Sequence, residues 1–367
     1  MSTKSHRCWA EIDRSALRHN AAAVRERIGA AELLAVVKAN AYGHGMTGAA
    51  ETLTDEAQAF GVANLEEATT LRVLLPHPII ILGPAIPEER LAIIEQGFIP
   101  SVSVFQEAQE FDRLARASQV SINFVIDSGM GRIGTPLEAA LTVFKEISRL
   151  PNIRIHSVST HLPVSNEDAA YTREELSQFN KLVQRFRREA PGAYKAHVLP
   201  SAGILAFADP VFDMVRAGIM LYGISPLPEF QQVLQPVMTW KTRIGLVREM
   251  PAGSSISYGR TFIAPRPMRV ATLTAGYADG YPRHLSNCEA AVLIQGRRCP
   301  LLGRVTMDLM MVDVSEMQNV EVGDEVVLMG RQGDSEIPCA ELAERAGTIT
   351  WEVTTRIASR VRRVFVN

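Results

Sequence analysis

Eight short apolar runs, separated by amphipathic stretches of helical length, fill residues 13–225 and constrain the fold more than any other feature. They are LLAVVK (33–38), AFGVA (59–63), IIILG (79–83), IPSVSV (99–104), INFVID (122–127), HSVSTH (156–161), AHVLP (196–200) and DMVRAG (213–218). Between them lie stretches such as NLEEATTLRVLL and TREELSQFNKLVQRFRREA, whose apolar residues recur at helical spacing. A continuous apolar run bounded by turns reads as a strand buried on both faces, and alternation with helices calls for parallel pairing. Eight strand–helix units fit a (β/α)8 barrel, whereas a doubly wound open sheet shows the same alternation and periodicity does not separate the two. Lys38, Asp127, His161, Ser201 and Arg216 fall at strand ends. In a barrel those ends share one face, where active sites are built.

After Pro226-Leu227-Pro228 the pattern changes. Residues 236–367 are rich in Val, Thr, Gly and Pro, with alternation and turns in VMTWKTRIGLV, RVATLTAGYADG, AAVLIQGRRCP and GDEVVLMG. This predicts a mostly-β domain, interrupted by a helix at IPCAELAERAG. The expected division is a barrel over 13–230 and a β-rich domain over 231–367.

A chain of 367 residues suits two domains. A net charge of −2 points to neither nucleic acid nor anionic membrane. The N-terminus, MSTKSHRCWAEIDRSAL, has no apolar core of signal-peptide length, and no run reaches the roughly 18 apolar residues of a spanning helix. Cys8, Cys288, Cys299 and Cys339 show no CxxC spacing and read as reduced thiols of a cytoplasmic protein. No metal-ligand cluster stands out among the Cys and His residues.

The segment AVVKANAYGHG (35–45) puts Lys38 at the end of a buried strand, before a turn-rich run. Burial disfavours an ammonium ion, and a neutral amine is what a Schiff base needs. Taken alone, such a lysine more often snorkels to solvent. However, VVKANAYGHG resembles the cofactor-lysine motif of the alanine racemases, and the likeness extends over nearly the whole chain. It implies that Lys38 carries pyridoxal 5'-phosphate and that Tyr42 touches its phosphate. It also implies that the first dozen residues join the β domain, with Cys8–Ile12 as a strand.

The same resemblance assigns further roles. In SISYGRTF, Tyr258 matches the second catalytic base, delivered by the β domain of the neighbouring subunit. An unperturbed tyrosine has a pKa near ~10, so a base there needs a cation nearby; alone, Tyr258 would read as a core tyrosine. In DMVRAGIMLYG, Arg216 matches the residue facing the pyridine nitrogen, and His161 in STHLP the histidine that orients it. An arginine stays protonated at ordinary pH and leaves that nitrogen unprotonated. Without the motif, His161 would read as a core histidine. Ser201, Gly218 and Ile219 match the phosphate site, beyond the last two barrel strands where such sites commonly lie.

Arg132, in DSGMGRIG, matches the arginine that positions the cofactor's phenolic oxygen and the substrate carboxylate, although a Gly-rich turn is by itself an ordinary loop. In GRVTMDLMMVDV, Met307 matches a residue whose N–H meets the substrate carboxylate across a dimer interface. Asp308 matches a loop support; Arg304, Arg283 and Tyr277 match an access corridor.

Three positions depart from the family pattern. Val125 stands where many members carry a carbamylated lysine that steadies the arginine, so Arg132 needs another counter-charge, a chloride or a polar group such as Asn123. Trp351 replaces a tyrosine near the phosphate and inner gate. Pro200 precedes Ser201 and removes a backbone donor. None touches Lys38, Tyr258 or Arg216.

The reading that follows is a cytoplasmic homodimeric isomerase interconverting L- and D-alanine by two bases, supplying D-alanine for peptidoglycan. The alternatives are a serine or broader racemase, a decarboxylase of the same fold, and a catalytically silent carrier of the cofactor. The decarboxylases lack the GYADG and GRxxMD pattern, and the silent carriers lack the β domain.

Overall fold

A computed structural model describes residues 6–116, 118–190, 192–207 and 212–367. The first residues of the N-terminal segment weighed as a signal peptide, 1–5, lie outside the described residues. The chain divides into two compact units: Leu17–Ala41 with Met46–Gln235, and Met1–Ala16 with Tyr42–Gly45 and Pro236–Asn367.

The larger unit is a closed barrel, not an open sheet. Beyond β1 (Cys8–Asp13), its strands are β2 (Glu32–Val36), β3 (Ala59–Val62), β4 (Ile79–Pro84), β5 (Ile99–Val102), β6 (Val120–Asp127), β7 (Ile153–Ser159), β8 (Lys195–His197) and β9 (Met214–Ala217). They pair in parallel in chain order from β2 to β9, and β9 returns to β2 to close the ring. All eight apolar runs of the sequence contribute a strand. Most barrel-strand residues are buried, as continuous apolar runs require. Outside the ring, Phe124 on β6 meets Phe144 and Phe186 on the helices Leu137–Ile147 and Ala169–Glu189, and those two rings stack at 4.3 Å. Each such fully buried ring contributes about 1.5–3 kcal/mol. Inside the barrel, Asn123 Nδ2 donates to Ser101 Oγ at 3.1 Å and its Oδ1 accepts from Ser157 Oγ at 3.0 Å, joining β5, β6 and β7.

The smaller unit is built on a sheet. Its strands are β10 (Met238–Met250), β11 (Met268–Leu273), β12 (Ala291–Ile294), β13 (Arg297–Pro300), β14 (Met310–Asp313), β15 (Glu325–Gln332) and β16 (Arg362–Val366). The order is β13-β12-β15-β10-β1-β16, with β11 and β14 branching from β10. β1 runs antiparallel to β10 and parallel to β16, so this N-terminal strand lies inside the sheet, between two partners. The expected helix forms over Cys339–Ala346, and a second, Thr350–Thr355, carries Trp351.

Candidate active site

Parallel strands bring their carboxyl ends to one mouth of the barrel, and the chemistry-bearing residues sit there. Lys38 follows β2 directly. The end of that strand is fixed by Val37 N–H, which donates to Gly61 O at 2.9 Å, and by Tyr222 Oη, which donates to Val36 O at 2.9 Å. After the lysine, Ala39, Asn40, Ala41 and Tyr42 have φ of 51°, 53°, 55° and 53°. This is a turn of left-handed helix made of residues with a Cβ, at roughly 1–2 kcal/mol per residue. Such strain persists only where neighbours over-determine it, and it concentrates at functional sites. Here Ala41 N–H donates to Val37 O at 2.8 Å, Met46 N–H to Asn40 Oδ1 at 2.8 Å, and Ala39 N–H to Glu67 Oε1 at 2.7 Å.

Lys38 is held below the ordinary lysine pKa, first by burial and then by the positive charges of Arg132 and Arg216, with Glu67 acting the other way. Burial and like charge both favour the free amine, the form that can attack a carbonyl.

Arg216, only 8 % exposed on β9, is the best-anchored of these groups. Nη1 donates to His197 Nδ1 at 2.9 Å; Nη2 donates to Thr160 O at 2.5 Å, to Val198 O at 2.9 Å and to His161 Nδ1 at 3.3 Å. His161 is pushed down to about 3 by burial and by the charges of Arg216, Arg132 and Lys38. Burial and Arg216 likewise hold His197 well below the ordinary histidine value. Both rings are therefore neutral and accept from the guanidinium. His161 and His197 thus both contact Arg216; the sequence reading did not single out His197, whose only signal was a histidine inside the strand-like run AHVLP.

Asp127 ends β6 and folds the loop that carries Arg132. Its Oδ1 accepts from Gly129 N–H and Gly131 N–H, both at 3.0 Å. Gly134 closes that loop at φ 119°, where a Cβ would collide with the backbone of Ile126 and Asp127. From behind, Ser128 Oγ meets Thr160 Oγ1 at 2.8 Å and donates to Glu175 Oε1 at 3.2 Å. Burial raises the Glu175 carboxyl to about 7. Arg132 itself is exposed, and no carboxylate among the described residues pairs with it. Asn123, weighed as that partner, accepts from Ser157 and donates to Ser101 inside the barrel.

Ser201 opens the helix Ser201–Ala206 and is buried, its Oγ accepting from Gly218 N–H at 3.1 Å and Met220 N–H at 3.3 Å. One hydroxyl thereby joins the loops after β8 and β9. Pro200 is the residue just before that helix, and its carbonyl accepts from Ile204 N–H at 2.9 Å; its missing N–H lies outside the helical ladder. Ile219 begins the next helical turn, Ile219–Tyr222.

The remaining candidates lie in the smaller unit. Tyr258 is 70 % exposed, on a turn after Ser257. Ser257 Oγ donates to Arg304 O at 2.5 Å, and the Arg304 guanidinium lies against Gly259. The GYADG and TMD segments are stapled together: Tyr277 N–H donates to Thr306 O at 3.0 Å and Ala278 N–H to Met307 O at 2.9 Å. Gly276 sits so close to the Thr306 and Met307 carbonyls that no Cβ fits. Arg360 braces both, Nε donating to Asp279 Oδ1 at 2.8 Å and Nη2 to Asp308 Oδ1 at 2.7 Å. Met307 is 54 % exposed and Tyr277 40 %. Tyr42 also belongs to this unit.

The donor set at the barrel mouth fits pyridoxal 5'-phosphate. A depressed lysine, two arginines and two neutral histidines surround a region whose acidic balance is Glu67 alone among the groups acting on Lys38. Such a site favours a dianionic ligand bearing a carbonyl. No group of His, Cys, Asp and Glu among the described residues is arranged to hold a metal ion, and no described helix is long and apolar enough to cross a membrane.

Comparison with known proteins agrees over both units. The profile of the alanine racemase N-terminal domain matches residues 12–226, and that of the C-terminal domain matches residues 237–365. The alanine racemase of Halothermothrix orenii is 41 % identical over 367 residues, spanning 98 % of this chain and 97 % of its own. The solved alanine racemase of Clostridium difficile 630 superposes with a TM-score of 0.93 at 31 % identity, covering 99 % of this chain and 96 % of that one. The alanine racemase of Bartonella henselae with covalently bound pyridoxal phosphate superposes with a TM-score of 0.88 at 27 % identity, covering 98 % of this chain and 100 % of that one. Profiles that match both parts of the chain, together with a full-length relative at this identity, make the chain a member of the alanine racemase family.

Proposed function

We propose that this protein interconverts L- and D-alanine with pyridoxal 5'-phosphate, using Lys38 and Tyr258 as opposed bases. The observation that carries the reading is Lys38 itself: an amine at the barrel mouth, held below the ordinary lysine pKa by burial and by two arginines. Lys38 Nζ would hold the cofactor; Tyr42, Ser201, Gly218 and Ile219 would take its phosphate, and Arg216 its ring nitrogen. When bound, the cofactor supplies the electron sink that makes the Cα proton removable. Arg216, anchored through backbone carbonyls and two histidine nitrogens, keeps its own protons and would deny one to the ring nitrogen. Arg132 would bind the substrate carboxylate and the phenolic oxygen, and the Met307 N–H the carboxylate.

Racemisation needs a base on each face of Cα. Lys38 Nζ serves one and Tyr258 Oη the other. Exposure of Tyr258 and Met307 in the single chain supports their delivery to the barrel of a partner subunit, in a symmetric homodimer. Trp351, half-buried on its helix, is the residue expected to tune preference between alanine and larger substrates. The four free cysteines suit a cytoplasmic enzyme, whose D-alanine would serve peptidoglycan synthesis.

The test is to load the purified protein with the cofactor, reduce it with borohydride, map the labelled peptide, and assay D-alanine from L-alanine by chiral chromatography. Label on Lys38 together with D-alanine is expected; label without turnover on any amino acid would leave a silent carrier.

A further inference from the structure

The left-handed turn behind Lys38 is restrained from outside the motif as well as within it, and one acid acts on the lysine's ionisation. Both lead to Glu67. This residue lies on the helix Leu65–Arg72, after β3, and is half-buried. Its carboxylate is divided between two loops. Oε2 accepts from Ala63 N–H at 2.8 Å, at the end of its own strand, and Oε1 accepts from Ala39 N–H at 2.7 Å, in the neighbouring loop and directly after the lysine. The simpler role is helix capping, since Glu67 occupies the third helical position and its own N–H donates to the Asn64 cap at 3.0 Å. Capping accounts for Oε2. It does not account for Oε1, which reaches a residue 28 positions away in sequence.

We propose that Glu67 is a positioning residue for Lys38, its carboxylate holding the left-handed turn against β3 and placing a negative charge at the residue next to the lysine. The claim deepens the racemase reading and rests on it for its catalytic meaning.

Two consequences follow. The Ala39 N–H bond ties the first strained residue to a charged acceptor, which is stronger than a neutral one. Lys38 is subject to four charged or titratable groups: Arg132, Arg216 and Glu67 act on its own ionisation, and the neutral His161 is itself depressed by Lys38. Only Glu67 favours the ammonium, so Glu67 opposes the two arginines and limits how far the lysine is depressed. A cap alone would leave Ala39 N–H exchange unchanged when the carboxylate is altered.

The experiment compares the full chain with Glu67→Gln and Glu67→Asp. Lys38 reactivity is read by acetic anhydride labelling of cofactor-free protein across pH, quantified by mass spectrometry. Amide exchange at Ala39 is read on the cofactor-loaded protein. Glu67→Gln should move the Lys38 labelling midpoint to lower pH. It should also speed Ala39 exchange about tenfold, the size expected for weakening one charge-assisted hydrogen bond. Glu67→Asp should keep the midpoint, because the charge remains, and still speed the exchange. An unchanged midpoint in Glu67→Gln overturns the proposal; should that variant not fold, unchanged Ala39 exchange in Glu67→Asp overturns it. Failure of the racemase reading is a separate result, namely wild-type protein whose Lys38 is never trapped by pyridoxal phosphate and borohydride.

Discussion

Arg216 Nη2 lies 3.3 Å from His161 Nδ1, and the histidine is the acceptor. Its ionisation is displaced to about 3 by burial and by three surrounding cations. A second histidine, His197, accepts from the same guanidinium at 2.9 Å. Arg216 is therefore held by two neutral rings and by backbone carbonyls.

The first prediction concerns that pair. His161 should stay neutral from pH 5 to 8, so ring-labelled histidine NMR should show no titration of its signal in that interval. A transition near the ordinary histidine value would mean that Arg216 does not sit against Nδ1. His161→Gln, which retains an oxygen acceptor, should keep more activity than His161→Leu.

Tyr258 gives the second. Because its ring is 70 % exposed in the single chain, Tyr258→Phe should leave folding and cofactor absorbance intact. Racemase kcat should fall about 10²–10⁴-fold, the usual worth of a general acid–base group. Steady-state kinetics beside an absorbance spectrum decide it; unchanged kcat removes Tyr258 from the chemistry.

Glu175 gives the third, a dependence of stability on pH. The buried carboxyl has a folded-state pKa of about 7 against an ordinary 4.5, so folding disfavours its ionised form. Below about 4.5 the group is protonated in both states and imposes no cost. As pH rises toward 7 the unfolded chain gains ionisation that the folded chain resists, and the cost is complete above about 7. Glu175→Gln should therefore melt progressively higher than the native protein as pH goes from 5 to 8, measured by calorimetry. A constant difference in Tm would show that the carboxyl ionises freely where it is.

Arg360 gives the fourth. It joins the GYADG segment through Asp279 and the TMD segment through Asp308, so Arg360→Ala leaves the buried Asp279 carboxylate short of a donor, at about 1–3 kcal/mol. Since the Met307 N–H is assigned to substrate binding, KM for alanine should rise more than kcat falls, with partial rescue by Arg360→Lys. Equal loss in both parameters would argue for a general loosening of the domain.

Much of this was legible in the sequence, for identifiable reasons. The eight barrel strands announce themselves because strands buried on both faces must be apolar throughout, and the same runs put Lys38, His161, Ser201 and Arg216 at strand ends, whereas their roles were read only from the family resemblance. What escaped reading depends on backbone conformation and on partners distant in sequence. Ala39 and Ala41 give no hint of a left-handed turn, since alanine disfavours it. Glu67 reads as one more acid in the first turn of an amphipathic helix until its second oxygen is seen to reach Ala39. Thr160 acts on Arg216 through its carbonyl, which no side-chain motif records. Asn123, a candidate partner for Arg132 by strand alternation, proves to bind across the barrel interior instead.

In the proposed reaction Lys38 and Tyr258 exchange the Cα proton of alanine from opposite faces. Its most direct test is to incubate the cofactor-loaded protein with L-amino acids in D2O, scoring D-enantiomer and Cα deuterium together by chiral chromatography and mass spectrometry. Rapid formation of D-alanine carrying deuterium at Cα, ahead of serine and larger substrates, is expected. Deuterium appearing only in recovered L-alanine, with no D-enantiomer, would show exchange by a single base and contradict it.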